Sequence, residues 1–200
     1  MAQIIQQVTA PNAWQFRTDL FVLQSTVNLE MVANGAATFI NTAVRFVGLA
    51  IPVGSTIIAP TKLTYTSDAT GSGTSYTTQF RASDEDNAAA ITTATDFSTR
   101  PRTTASASLS PPIIANDVTQ DSPDLSAVVQ EVVDRAGWVS GNDMLFFWER
   151  VSNTGNNNRS YYHSGTIAKS AILEVNFTPP LVAVVFSPGG QQQSYQQIAL

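Results

Sequence analysis

Short apolar stretches with a two-residue rhythm, cut apart by turn residues, constrain this chain more than any other feature. Tyr76, Thr78 and Phe80 fall on one side of residues 76–82. Val44 and Phe46 share a side of residues 38–50, with Arg45 on the other. Ala171, Leu173, Val175 and Phe177 alternate with Glu174 and Asn176. A period of two places successive side chains on opposite faces of a strand. Between these stretches stand Asn34-Gly35, Pro52-Val53-Gly54, a Gly/Ser/Thr run over 67–75, Pro111-Pro112 and Pro179-Pro180. Such punctuation, recurring every ~10–15 residues, is the pattern of a β-sandwich. No self-similar period of about 20–50 residues appears, which excludes a solenoid or propeller.

One segment breaks the rhythm. Leu125, Val128, Val129, Val132 and Val133 recur at helical spacing and form a single apolar stripe. Ser122-Pro123-Asp124 offers an N-terminal cap and Gly137 a C-terminal stop, so a helix is predicted over about residues 123–136. Valines are poor helix formers, so burial of the stripe must hold it. Residues 88–95 offer one further short helical turn. Residues 143–151 are apolar on both faces, which predicts a central strand with little solvent on either side. The expected fold is all-β: a jelly-roll-like antiparallel sandwich with one amphipathic helix. Residues 19–178 form the sandwich in this reading. Residues 1–18 form an N-terminal arm, and residues 179–200 a C-terminal arm or tail.

Composition narrows the function classes. Charged residues make up 12% of the chain, against about 25% in ordinary soluble proteins. Net charge is −5, and Lys62 and Lys169 are the only lysines. Without a basic run a nucleic-acid partner is not expected. There is no cysteine, hence neither a disulfide nor a thiolate metal site. The aliphatic runs are too short to span a bilayer, so no membrane is expected. The first residues lack the charged and apolar regions of a secretory leader.

Catalytic patterns are sparse. The single histidine, His163, stands in Tyr-Tyr-His-Ser-Gly with no nucleophile motif around it. There is no G-x-S-x-G, and Gly71-Ser72-Gly73 and Gly189-Gly190 lack the setting of a phosphate cradle. Asp84-Glu85-Asp86-Asn87 offers hard oxygen donors for Ca²⁺, but not at EF-hand spacing. Glu149 is an unexpected charge on an apolar strand, with Arg150 or Arg45 as the expected partner. No residue is therefore assigned a catalytic, cofactor-binding or metal role, and a non-enzymatic protein without cofactor is expected. Trp14, Trp138, Tyr161 and Tyr162 are candidates for stacking on sugars, with packing the favoured alternative. Trp14 and Phe16 in the N-terminal arm, and Leu181, Phe186 and Tyr195 in the C-terminal one, are the candidate interaction residues. They either clasp neighbouring subunits or add edge strands to the same sandwich.

Several of these segments have a familiar form. Val44-Arg-Phe-Val-Gly-Leu-Ala-Ile-Pro-Val-Gly-Ser-Thr-Ile, Ser98-Thr-Arg-Pro-Arg-Thr-Thr-Ala-Ser and the whole of residues 122–143 resemble β-sandwich modules of bacterial extracellular proteins, of carbohydrate-binding and DNRLRE type. Asn158-Arg-Ser-Tyr-Tyr and Ala171-Ile-Leu-Glu-Val are similar to their closing strands. The resemblance covers about residues 19–178 and implies a jelly roll without catalytic residues. A lone module of this kind, Lys-poor and with extended ends, is expected to be a bacteriophage virion protein assembled in the host cytoplasm. The expected role is capsid decoration as a homo-oligomer bound to major capsid or tail proteins. The alternative is a carbohydrate- or receptor-binding module of a tail or fibre.

Overall fold

The alternating stretches become strands in the computed structural model of the chain, which describes residues 1–17, 22–24, 28–34, 38–73, 76–153, 155–162 and 165–181. In chain order these are β1 (Ala2–Gln7), β2 (Ala13–Arg17), β3 (Val22–Gln24), β4 (Asn28–Asn34), β5 (Thr38–Leu49), β6 (Thr56–Thr66), β7 (Ser72–Gly73) and β8 (Tyr76–Ala82). Helix α1 (Ala94–Thr99) precedes β9 (Ala107–Leu109) and β10 (Thr119–Asp121). Helix α2 (Ser126–Val133) precedes β11 (Asn142–Asn153), β12 (Asn157–Tyr162) and β13 (Ile172–Thr178).

The strands pair antiparallel into two sheets, β1-β13-β6-β10 and β7-β12-β4-β5-β11-β8-β9, with β2 and β3 added beside β5. Numbering β1, β5, β6, β8, β9, β10, β11 and β13 as eight principal strands, the sheets read 1-8-3-6 and 2-7-4-5. That is the jelly-roll order of two interlocked Greek keys. β4, β7 and β12 prolong the second sheet beyond it.

The alternation decides what faces inward. Tyr76, Thr78, Phe80 and Ala82 of β8 are buried, as are Val44 and Phe46 of β5 and Leu173, Val175 and Phe177 of β13. β11 is buried on both faces: Met144, Phe146 and Trp148 enter the core between the sheets, and Leu145 and Phe147 a second cluster on the outer face of the second sheet. Residues 83–103, with α1, cover that outer cluster through Ala88, Ile91 and Phe97. The helical turn expected over 88–95 lies slightly later in the chain, as α1, capped by Thr93 Oγ1 accepting from Asp96 N at 3.0 Å.

The amphipathic helix is shorter than its stripe predicts. Its N-cap is Leu125, without a side-chain cap bond. The reason lies in β6. Thr61 O accepts the Leu125 amide at 2.6 Å, and Asp124 Oδ1 accepts the Thr61 amide at 2.9 Å. Residues 123–125 are tied to the strand, so the helix begins after them. The stripe itself packs as expected, with Leu125, Val128, Val129, Val132 and Val133 in the main core. Gly137 is not a left-handed stop, since positive φ among the described glycines falls on Gly48, Gly54, Gly73 and Gly141. A Cβ at Gly137 would lie 2.1 Å from Asp86 Oδ2, so a larger residue there must displace the Asp86 side chain.

Residues 2–7 and 13–17 add strands to the two sheets, the alternative to a free N-terminal arm. β1 pairs with β13 from Ala2↔Phe177 to Gln7↔Ile172, and β2 pairs with β5 from Ala13↔Val44 to Arg17↔Ile40. Ile4 packs on the main core, and Trp14 and Phe16 in the outer cluster, each 6% exposed. Burying those two rings in the outer cluster, Phe16 against Phe97 of α1, outweighs leaving them in water, since each large side chain is worth about 2 kcal/mol or more. At the other end β13 stops at Thr178, and Leu181 is fully exposed. Phe186 and Tyr195 lie outside the described residues.

Candidate functional site

A shallow concavity of the described surface lies beside α2. It is an open depression of about 590 Å³ lined by Asp84, Ala127, Gln130, Glu131, Asp134 and Arg135. Its polar atoms are turned to the protein. Arg135 pairs with Asp84, and its Nε donates to Asp86 Oδ1 at 2.7 Å. These contacts, led by the Asp86 hydrogen bond, raise the guanidinium above its ordinary pKa. The two oxygens of Glu131 accept the amides of Thr104 and Ala105, both at 2.7 Å. Gln130 Oε1 accepts Ile57 N at 2.7 Å, while its Nε2 donates to Asp134 Oδ1 at 2.7 Å and Ser55 O at 3.2 Å. An acid–base catalyst needs a carboxyl oxygen turned toward a ligand. This set instead staples α2 to three neighbouring segments.

The acidic run resolves in the same way. Asp84 and Asp86 turn to Arg135, Glu85 accepts Ser83 Oγ at 2.6 Å and lies 3.6 Å from Arg100, and Asn87 Oδ1 accepts Asp143 N at 2.8 Å. Among the described residues no three His, Asp or Glu side chains converge as a metal site. Glu149 pairs with Arg102 at 3.0 Å, not with Arg150 or Arg45. Arg45 is drawn away to Asp143 and to Ala88 O at 2.7 Å, and Arg150 lies 3.8 Å over the Phe39 ring.

Arg102 organises the outer face. Its guanidinium lies 3.4 Å from the centre of the Phe147 ring and donates to Phe97 O at 2.8 Å and to Arg100 O. Burial draws its pKa below the ordinary value, and Glu149 opposes that shift. Arg100 works beside it, donating to Ala89 O at 2.5 Å and Asp96 Oδ1 at 2.8 Å. None of Arg100, Arg102 and Arg135 stood out in the sequence as an anchor. The available signal was the preference for arginine over lysine, because a planar fork can satisfy several acceptors at once.

The aromatic candidates are mostly interior. Trp138 is buried and donates Nε1–H to Ile51 O at 3.1 Å. Tyr161 is buried with its hydroxyl donating to Gln120 Oε1 at 2.7 Å and its ring 5.0 Å from Trp148. Tyr162 is half-buried; its hydroxyl donates to Asp117 Oδ1 at 2.8 Å, and Lys169 Nζ sits 4.7 Å over its ring. With Trp14 and Phe16 also buried, those of the predicted residues that are described do not assemble into one site. His163 lies outside the described residues.

What the described residues leave open is an edge. β1 ends the first sheet, and Ile5 on it is 63% exposed. Met1, Val53 and Val139 are exposed apolar side chains, as is Leu181 where the chain leaves β13. None of Met1, Ile5, Val53 and Val139 was singled out from the sequence. No protein-family model matches the chain. No curated protein matches it.

Proposed function

We propose that this chain is a non-catalytic structural protein of a bacteriophage virion, a decoration protein that sits on the capsid as a homo-oligomer and meets other virion proteins there. The observation that carries this reading is the β1 edge, open among the described residues, with Ile5 exposed on it and Met1 and Leu181 exposed beside its N-terminal end. Uncovered strand edges and exposed apolar residues call for a protein partner. The ion pairs around α2 and the outer face add support, because they spend their charges on holding the sandwich together. The glycan-binding alternative lacks an exposed aromatic platform at Trp14, Trp138 and Tyr161.

The test is quantitative mass spectrometry of purified particles, together with binding of the purified chain to particles that lack it. Copies in register with the capsid lattice, and saturable binding, are expected. A handful of copies would move the protein to the tail. Absence from particles, or a specific glycan-array signal with no particle binding, would overturn the reading.

A further inference from the structure

We infer that the free edge of β1 is completed by residues 181–186 of a second copy of this chain; the inference rests on the homo-oligomer reading above and supplies its mechanism. Strand edges in stable proteins are usually protected by lysine, proline, a bulge or a covering loop. β1 reads Ala-Gln-Ile-Ile-Gln-Gln and has neither a charge nor a proline. Its register with β13 runs unbroken from Ala2 to Gln7, so no bulge twists it away. Among the described residues no strand pairs with its outer side. Near its C-terminal end Gln6 Nε2 donates to Val47 O at 2.6 Å, which leaves Ala2–Ile5 as the open stretch.

The segment proposed to cover it has matching chemistry. Every Asp, Glu, Lys and Arg of the chain lies between Arg17 and Glu174, so β1 and the residues after β13 are both uncharged. Leu181-Val-Ala-Val-Val-Phe is a run of strand formers. It is bounded by Pro179-Pro180 and by Ser187-Pro188-Gly189-Gly190, signals that start and stop an extended segment. Its length equals the 6 residues of β1.

The path of the chain points away from its own β1. Leaving Thr178, it would have to reverse and cross two strand spacings, about 10 Å, to reach the outer side of β1. Pro179 and Pro180 favour extended backbone there. Pro180 lies instead against Gly54, with its Cβ 3.7 Å from where a Gly54 Cβ would be. Gly54 leads into β6, on the opposite side of β13 from β1. Pro180 therefore starts the chain away from the β1 edge, and a neighbour's edge is the proposed partner of the segment that follows.

The chain has no cysteine, so introduced thiols report cleanly. In the full chain, Gln3→Cys is combined in turn with Val182→Cys, Val184→Cys and Phe186→Cys, mildly oxidised, and run on a non-reducing denaturing gel. At least one pair is expected to give covalent multimers, and mixed single variants should give heterodimers of one of each. A monomeric intrachain link, or no link in any pair, overturns strand exchange. Independently, Ile5→Lys in the full chain should weaken self-association by about tenfold or more, because edge lysines block strand addition. Sedimentation reads that shift, and an unchanged far-ultraviolet spectrum shows the sandwich intact. An oligomer indifferent to Ile5→Lys and without cross-links would keep the homo-oligomer reading and sink the exchange. A native chain that stays monomeric at all concentrations would sink both.

Discussion

The two apolar clusters flanking the second sheet are held by different means. Between the sheets, Trp148 stacks on Phe80 at 4.9 Å and meets Tyr65 at 5.1 Å and Tyr161 at 5.0 Å, with its indole N–H donating to Thr78 Oγ1 at 2.7 Å. That core draws on both sheets and α2. On the outer face, Trp14, Phe16, Phe97, Leu145 and Phe147 form a smaller group under an irregular segment. The irregular segment has few ladder bonds of its own. Arg45, Arg100 and Arg102 reach the carbonyls of Ala88, Ala89, Phe97 and Arg100. A large core stabilises its own cover; a thin layer needs its backbone acceptors satisfied by side chains.

The comparison can be broken at four points. Trp148→Ala should cost about 3–5 kcal/mol, since it leaves a large cavity in the main core; urea titration of the whole fold reads it. Arg102→Ala should cost about 2–3 kcal/mol, because Glu149 would lose its partner in a mostly buried site. Hydrogen exchange should then quicken over residues 88–100 before the main sheets, and equal loosening everywhere would contradict the two-layer account. Asp124→Ala should cost about 1 kcal/mol, through loss of a first-turn contact and its tie to Thr61. Lys62→Met, which removes the exposed pair with Asp121, should change stability by no more than about 0.5 kcal/mol.

Asp124 also carries a pH signature. Burial raises its pKa, but bonds from the Ser126 hydroxyl and from the Thr61 and Ser126 amides outweigh that and hold it below the ordinary 3.8. A carboxyl with a lowered folded-state pKa stabilises fully above the unfolded value, and the contribution fades as pH falls through the folded one. Asp124→Asn should therefore flatten the stability profile below 3.8 and leave its slope near neutrality unchanged. Thermal melts across acid pH check it.

The inner layer was legible because its rule is strictly periodic. Ala171, Leu173, Val175 and Phe177 all point inward as their alternation predicts. So does the α2 stripe, and so does the double-faced burial of β11. The edges were not legible. In β1 the adjacent Ile4 and Ile5 face opposite ways, and glutamines fill the rest, so no alternation stands out. β10 is only Thr119–Asp121, held by pairing with β6 rather than by pattern. β9 is likewise only Ala107–Leu109, held by pairing with β8. Trp14 and Phe16 looked like arm residues because the layer they enter is built from residues 88–97, far along the chain. Glu149 was assigned by proximity in sequence and register, while its partner Arg102 arrives from the loop above. Trp14 and Phe16 follow the alternative in which they add a strand to the same sandwich, and the edge of β1 beside them was hidden.

The pairing of β1 with β13 has a consequence for synthesis. Among the described strands β1 is made first, and its sheet partner, Ile172–Thr178, is made after all the others. β6 must also wait for that late strand to join it to β1. The first sheet therefore cannot close before residue 178 has been made, and long-range pairing of this kind folds slowly. Until residue 178 emerges, an uncharged strand waits without a neighbour, and crowding among nascent copies at that moment would favour pairing between chains over closure within one.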